Sequence, residues 1–176
     1  MKTLEQILAK SVNYGNITLL AHTQQVVQAI KVFAAYFDFS FNIEIACKGA
    51  ILHDLGKAHN HFQNKISDIN TKSLSEKREE SYIHRHELSS LAFLPVFPKE
   101  EWHILIDMIV AHHKSIENDP EERGILDLDQ NNRHWIANHL KNWEEWSKYG
   151  LQILEIFGYH KDEITLDEAK SALKHV

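Results

Sequence analysis

Histidine is the residue type best able to do chemistry in this chain, and it is unevenly placed. There are 13 histidines, and imidazole is both the commonest metal ligand and the side chain that titrates near neutrality. His22 stands in Leu19-Leu20-Ala21-His22-Thr23. His53-Asp54 is an adjacent pair followed by Leu55-Gly56-Lys57. His84 and His86 flank Arg85 and lead into Glu87-Leu88-Ser89-Ser90. His112-His113 follows the apolar run Ile109-Val110-Ala111. Each of these has an ordinary explanation when taken alone. A lone histidine on an apolar stripe is usually a satisfied core residue. Adjacent residues on a helix point about 100° apart, so one of a pair is commonly buried and the other solvated. Taken together, the ordinary explanations require a separate coincidence each, whereas one metal centre accounts for all of them. A carboxylate such as Asp54, next to an apolar stripe, is costly to desolvate unless it is paired or binds a metal. Imidazole and carboxylate ligands suit iron, manganese, cobalt, nickel or zinc better than calcium or magnesium alone. Cys47 is the single cysteine, which excludes a cysteine-rich structural zinc site.

Helices must position these residues. A first helix is expected from about Leu4 to Val12, ended by Asn13-Tyr14-Gly15-Asn16. Thr18 is a candidate N-cap for a long second helix. On that helix His22, Val26, Ala29 or Ile30, and Phe33 recur at helical spacing. A third helix is expected over Asn42 to Leu55 with Ile43, Ala46 or Cys47, Ala50 and His53 on its stripe, and Gly56 falls where a C-cap would sit. The polar stretch Ile66 to Ser81 reads as an exposed loop. A fourth helix covers about His84 to Phe93 and stops before Pro95. A fifth runs from about Pro98 to His113. The acidic stretch Glu117 to Gln130 reads as a loop, Asn132 or Arg133 to Tyr149 as a helix carrying three tryptophans, and Leu151–Phe157 and Asp167–Lys174 as shorter helical pieces. No period-2 pattern is strong enough to predict a sheet, so the expected fold class is all-α.

Composition sets the frame. The chain has 176 residues, which suits one domain spanning 1–176. Its hydrophobic fraction of 43% and charged fraction of 25% are those of an ordinary globular protein. Three prolines and six glycines leave little of it marked for turns. No apolar run approaches the ~20 residues that span a bilayer, and the N-terminus lacks the apolar core of a signal peptide. A lone cysteine fits a reducing cytoplasm. The net charge of −6 argues against binding nucleic acid mainly through the chain's own surface field, although bound divalent ions would reverse that locally.

The set as a whole resembles the metal-binding signature of the HD superfamily, and more closely the HD nuclease domain of the type I CRISPR-associated nuclease–helicase. The residues that carry the resemblance run from about Leu8 to His113: Leu8-Ala9-Lys10-Ser11, the segment around His22, His53-Asp54-Leu55-Gly56-Lys57-Ala58 followed by Phe62-Gln63, His86-Glu87-Leu88-Ser89-Ser90, and Ile109-Val110-Ala111-His112-His113. The resemblance implies a helical bundle with a two-metal centre between its helices. His22, His53 and Asp54 would hold the first ion, and Asp54 would bridge to a second completed by His86, His112 and His113. His84 competes with His86, which is preferred because Glu87-Leu88-Ser89 follows it. Lys57 resembles a family lysine near the scissile phosphate, and reads equally well as a solvated residue after a helix. The family adds a late aspartate to the first metal. Asp127, Asp129, Asp162 and Asp167 are the aspartates to consider, and none has the usual small-residue context.

The implied activity is metal-dependent cleavage of single-stranded DNA in CRISPR interference, an antiviral defence. A superfamily 2 helicase domain or subunit would feed the strand, and a CRISPR effector complex would recruit the pair. The ligand set by itself indicates only phosphoester hydrolysis. A phosphohydrolase acting on nucleotides or cyclic nucleotides, and a non-catalytic HD docking module, therefore stand as alternatives.

Overall fold

A computed structural model describes residues 2–11, 14–37, 40–67, 84–111 and 134–175. Eight α-helices order the described chain: α1 (Leu19–Tyr36), α2 (Ile43–Leu52), α3 (Asn60–Ser67), α4 (His86–Ser90), α5 (Trp102–Ala111), α6 (Trp135–His139), α7 (Trp143–Ile156) and α8 (Leu166–Leu173). Short 3₁₀ turns join several of them. The fold is all-α, and among the described residues the only strand-like feature is an isolated bridge between Leu8 and Thr18.

The N-terminal segment departs from expectation. A single 3₁₀ turn, Leu4–Gln6, replaces the expected helix, and the chain then runs extended. Gly15 and Asn16 take positive φ values of 92° and 52°, which turns the chain back on itself. The backbone of 7–9 then pairs with that of 17–19: Leu19 N–H donates to the Ile7 carbonyl at 2.7 Å and Ala9 N–H to the Ile17 carbonyl at 2.8 Å. So short a helix would leave most of its backbone groups unpaired, and this pairing satisfies several of them.

Two side chains cap helix starts, Thr18 as its position suggests and Asn42 in place of the first helical turn expected there. Thr18 Oγ1 accepts the Ala21 N–H at 3.1 Å to start α1, and Asn42 Oδ1 accepts the Ile45 N–H at 3.1 Å to start α2. α2 stops at Leu52, so His53 and Asp54 lie in a turn that leads into the 3₁₀ segment Leu55–Ala58. α3 follows at once and was not foreseen. The expected fourth helix tightens after one α-turn into 3₁₀ geometry over Leu91–Val96, where Pro95 supplies no backbone N–H. The helix expected up to Tyr149 is broken at Asn142, a left-handed residue with φ 56°. The break sets Trp143 and Trp146 against Phe93, at ring separations of 5.2 and 5.8 Å. Each indole N–H finds a carbonyl, Trp143 that of Ile164 and Trp146 that of Lys141.

The core runs through the middle of this assembly. Leu52, Leu55, Leu91, Phe93, Leu105, Ile109, Trp146, Ile153 and Leu173 are fully buried. Gly150 lets α7 lie on the Phe93 ring, because a Cβ there would collide with it. Buried Lys48 ties α2 to the 3₁₀ turn Lys99–Glu101 that leads into α5: its Nζ lies 2.8 Å from Glu101 Oε1 and 2.7 Å from Glu44 Oε1 of its own helix. None of the helices among the described residues is long and apolar enough to cross a membrane.

Candidate metal centre

The turn after α2 places Asp54 in the interior. Its side chain is 2% exposed, a position in which a bare carboxylate would be strongly disfavoured. Three imidazoles and one ammonium converge on it. His22, from the first turn of α1, brings Nε2 to 2.9 Å from Oδ2. His53, the preceding residue, brings Nε2 to 3.2 Å from the same oxygen. His86, the first residue of α4, brings Nε2 to 3.1 Å from Oδ1. Lys57 Nζ lies 2.7 Å from Oδ2.

The donor chemistry of this cluster fits a divalent transition ion. One ligand atom each from His22, His53 and Asp54 lies within 4.8 Å of the other two. His53 Nδ1 is 2.6 Å from the Ala50 carbonyl, so it carries a hydrogen, and Nε2 is the nitrogen turned towards Asp54. Such a backbone anchor on the far nitrogen is the usual means of orienting a metal-ligating imidazole. His22 and His53 meet with ring centroids 5.6 Å apart.

Backbone contacts hold these pieces in register. Ser90 Oγ accepts the Gly56 N–H at 2.8 Å, and its own proton lies between the carbonyl oxygens of His53 and His86, each 3.1 Å away. Gly56 is therefore not a helix cap, as its position after an apolar stripe suggested. It allows close approach, since a Cβ there would run into the His86 carbonyl and the Ser90 backbone. Gln63, 2% exposed, receives the Leu8 N–H at 3.1 Å and donates to the Leu8 and Lys57 carbonyls at 2.8 and 2.7 Å. It fastens the N-terminal arm to the turn that carries Lys57. Sequence reasoning gave neither Ser90 nor Gln63 a role. The motif context Ser89-Ser90 was visible, but only the packing shows that Ser90 faces the site while Ser89 donates to the His139 carbonyl at 3.0 Å.

His84 does not reach Asp54. Its ring stacks on His59 at 4.3 Å and on His139 at 5.3 Å, with His61 also 5.3 Å away. Burial, reinforced by the neighbouring imidazoles His59, His139 and His61, pushes the His84 pKa down to about 2. Burial likewise lowers His139. His139 Nε2 accepts the Arg85 N–H at 3.2 Å, so the Nδ1 that faces the Trp135 carbonyl at 2.7 Å carries the proton. His84 and His139 are thus held in the neutral form near pH 7. Beside them, buried Glu87 is paired with Arg85 Nε at 2.6 Å. Burial raises the Glu87 pKa, but hydrogen bonds from Arg85 and from its own backbone, with the nearby positive charge, together more than offset this and hold it below the usual carboxylate value.

His112 and His113 lie outside the described residues, as do Asp127 and Asp129. Asp162 and Asp167 are 95% and 93% exposed and pair with His160 and Lys170, which leaves them away from the buried carboxylate. Among the described residues, no late aspartate joins Asp54.

Residues 19–173 match the family described as Cas3, HD domain. No curated protein and no solved structure matches the chain.

Proposed function

The chain belongs to the Cas3 HD-domain family of CRISPR-associated nucleases, and from that premise we propose that it hydrolyses phosphodiester bonds of single-stranded DNA during CRISPR interference. The observation that carries this reading is the convergence of three imidazole Nε2 atoms, from three separate segments, on one buried carboxylate. His22, His53 and Asp54 would hold one divalent ion. Asp54 would present its other oxygen to a second, shared with His86, His112 and His113. Iron, manganese, cobalt, nickel and zinc all suit that donor set. Bound there, such ions supply Lewis-acid polarisation of the phosphoryl group and acidify water toward neutrality.

The remaining work falls to the chain itself. Asp54 sets the spacing of the histidines, because its two oxygens face different imidazoles. Lys57 Nζ lies 2.7 Å from this carboxylate, and its ammonium would hold a non-bridging oxygen of the scissile phosphate, adding fixed positive charge where negative charge develops. The backbone anchor on His53 keeps its ring from rotating as substrate enters.

The strand would be delivered by other components. A net charge of −6 gives the chain little general attraction for DNA. A superfamily 2 helicase domain or subunit and a CRISPR effector complex, working in the cytoplasm, would supply that grip.

The test combines elemental analysis with a substrate panel. After loading with manganese or iron, about two ions per chain and cleavage of linear and circular single-stranded DNA are expected. Hydrolysis of nucleotides or cyclic nucleotides without DNA cleavage would replace this reading with a phosphohydrolase. No bound metal after loading would replace it with a non-catalytic docking module.

A further inference from the structure

The side chain of Phe62 is placed unlike the other large aromatics near the centre. It lies in the first turn of α3 and is only partly covered. It is absent from both the buried apolar core and the partly buried side chains packed on that core. Among the described residues, its ring contacts are with the site itself. The His86 ring meets it edge-on with centroids 5.5 Å apart, and Lys57 Nζ lies over it at 5.7 Å. Lys57 and His86 both also touch Asp54, so Phe62 stands beside two of the side chains that reach the carboxylate.

The local sequence explains why the ring is held there. Gln63, the next residue, is buried and fixed by three hydrogen bonds to the N-terminal arm and the Lys57 carbonyl. Neighbouring side chains on a helix diverge by about 100°. Anchoring Gln63 inward therefore turns Phe62 out of the interior, towards Lys57 and His86. A phenylalanine needed only as filler would gain more by joining the core. One kept partly open beside a cation and an imidazole has a π-surface and positive charge side by side, the pairing that grips one nucleotide of a single strand by base and phosphate.

We propose that Phe62 is a substrate-binding residue that stacks on the base next to the phosphate held at Lys57. This rests on the nucleic-acid reading above and extends it to a base contact. Stacking tolerates any base, so the contact would favour strands with bases over bare sugar–phosphate without imposing a sequence.

The test compares two strands of equal length, a thymidine oligonucleotide and one built from abasic sugar–phosphate units. Affinity is read by fluorescence anisotropy with the full chain, metal-free and manganese-loaded, and kcat/KM is read with the loaded chain. Wild type is expected to prefer the thymidine strand by about tenfold. Phe62→Leu is expected to lose that preference, and Phe62→Trp to keep it. Retention of the preference in Phe62→Leu, or its absence in wild type, would overturn the proposal while leaving DNA cleavage intact. Failure of wild type to bind or cut either strand would remove the nucleic-acid reading along with it. Metal content of each variant, measured in parallel, separates loss of stacking from displacement of His86: a preference lost only together with metal would overturn the stacking role.

Discussion

The backbone N–H of Gly56 donates to the hydroxyl of Ser90 at 2.8 Å, joining two segments 34 residues apart. The contact exists because Gly56 has no Cβ, which lets α4 settle directly on the turn that carries His53 and Asp54. His86 then arrives beside Asp54 as a consequence of backbone packing.

Gly56→Ala should therefore damage both fold and site. The added methyl meets backbone atoms of His86 and Ser90, which cannot rotate away. A cost of about 1–3 kcal/mol is expected from such overpacking. Urea melts of the metal-free chain measure it. Retained manganese content together with unchanged stability would show that α4 is not held by this approach.

Ser90→Ala should separate stability from ion binding. It leaves the buried Gly56 N–H without its acceptor, a loss of about 1–3 kcal/mol. It also frees the carbonyls of His53 and His86 from a shared partner. Manganese affinity should fall by about 10–100-fold, as for other residues that support ligands from behind. Titration of the folded variant with manganese tests this. Wild-type affinity would mean that Ser90 serves packing alone.

Asp54→Ala should abolish cleavage and lower metal content while the helical circular-dichroism spectrum survives. Asp54 is where His22, His53, His86 and Lys57 converge. His160→Ala is the control, since that imidazole is 66% exposed and pairs with surface carboxylates. Full activity in the first variant, or metal loss in the second, would mean that the ligands are assigned to the wrong residues.

Acid should destabilise the chain through the second histidine group. The pKa values of His84 and His139 are both below the ordinary 6.5 in the folded state. The unfolded chain therefore takes up protons first as the pH falls. The stability these imidazoles contribute is complete above 6.5 and is lost progressively below it, for His84 down to about 2. Well inside that window His84 costs about 1.4 kcal/mol per pH unit, and His139 adds a loss of the same sign. Glu87, whose pKa is lowered, adds its own loss only below 4.5. Urea melts between about pH 7 and 5 isolate the histidines. His84→Phe, which keeps a ring in the stack but cannot titrate, should flatten the slope by about one proton. An unchanged slope would show that His84 is not held neutral.

The sequence alone determined the class of structure and the residues worth watching. Apolar residues at helical spacing marked α1 and α2, with Thr18 before the first run, because period and caps are local properties of the chain. The family signature singled out His22, His53, Asp54, Lys57 and His86 together. Local pattern could not show the N-terminal arm, whose backbone is satisfied by residues 17–19 and by Gln63. Nor could it show the break at Asn142, which follows from fitting Trp143 and Trp146 against Phe93. The motif context Glu87-Leu88-Ser89 favours His86 over His84, but what physically separates the two rings is tertiary. They are two residues apart on one segment, and only the seating of α4 on Gly56 turns one towards Asp54 and the other into the stack with His59 and His139. Spacing proposes candidates because it is written in the covalent chain. Which imidazole meets the carboxylate depends on contacts between segments far apart in sequence, and those exist only once the chain has packed.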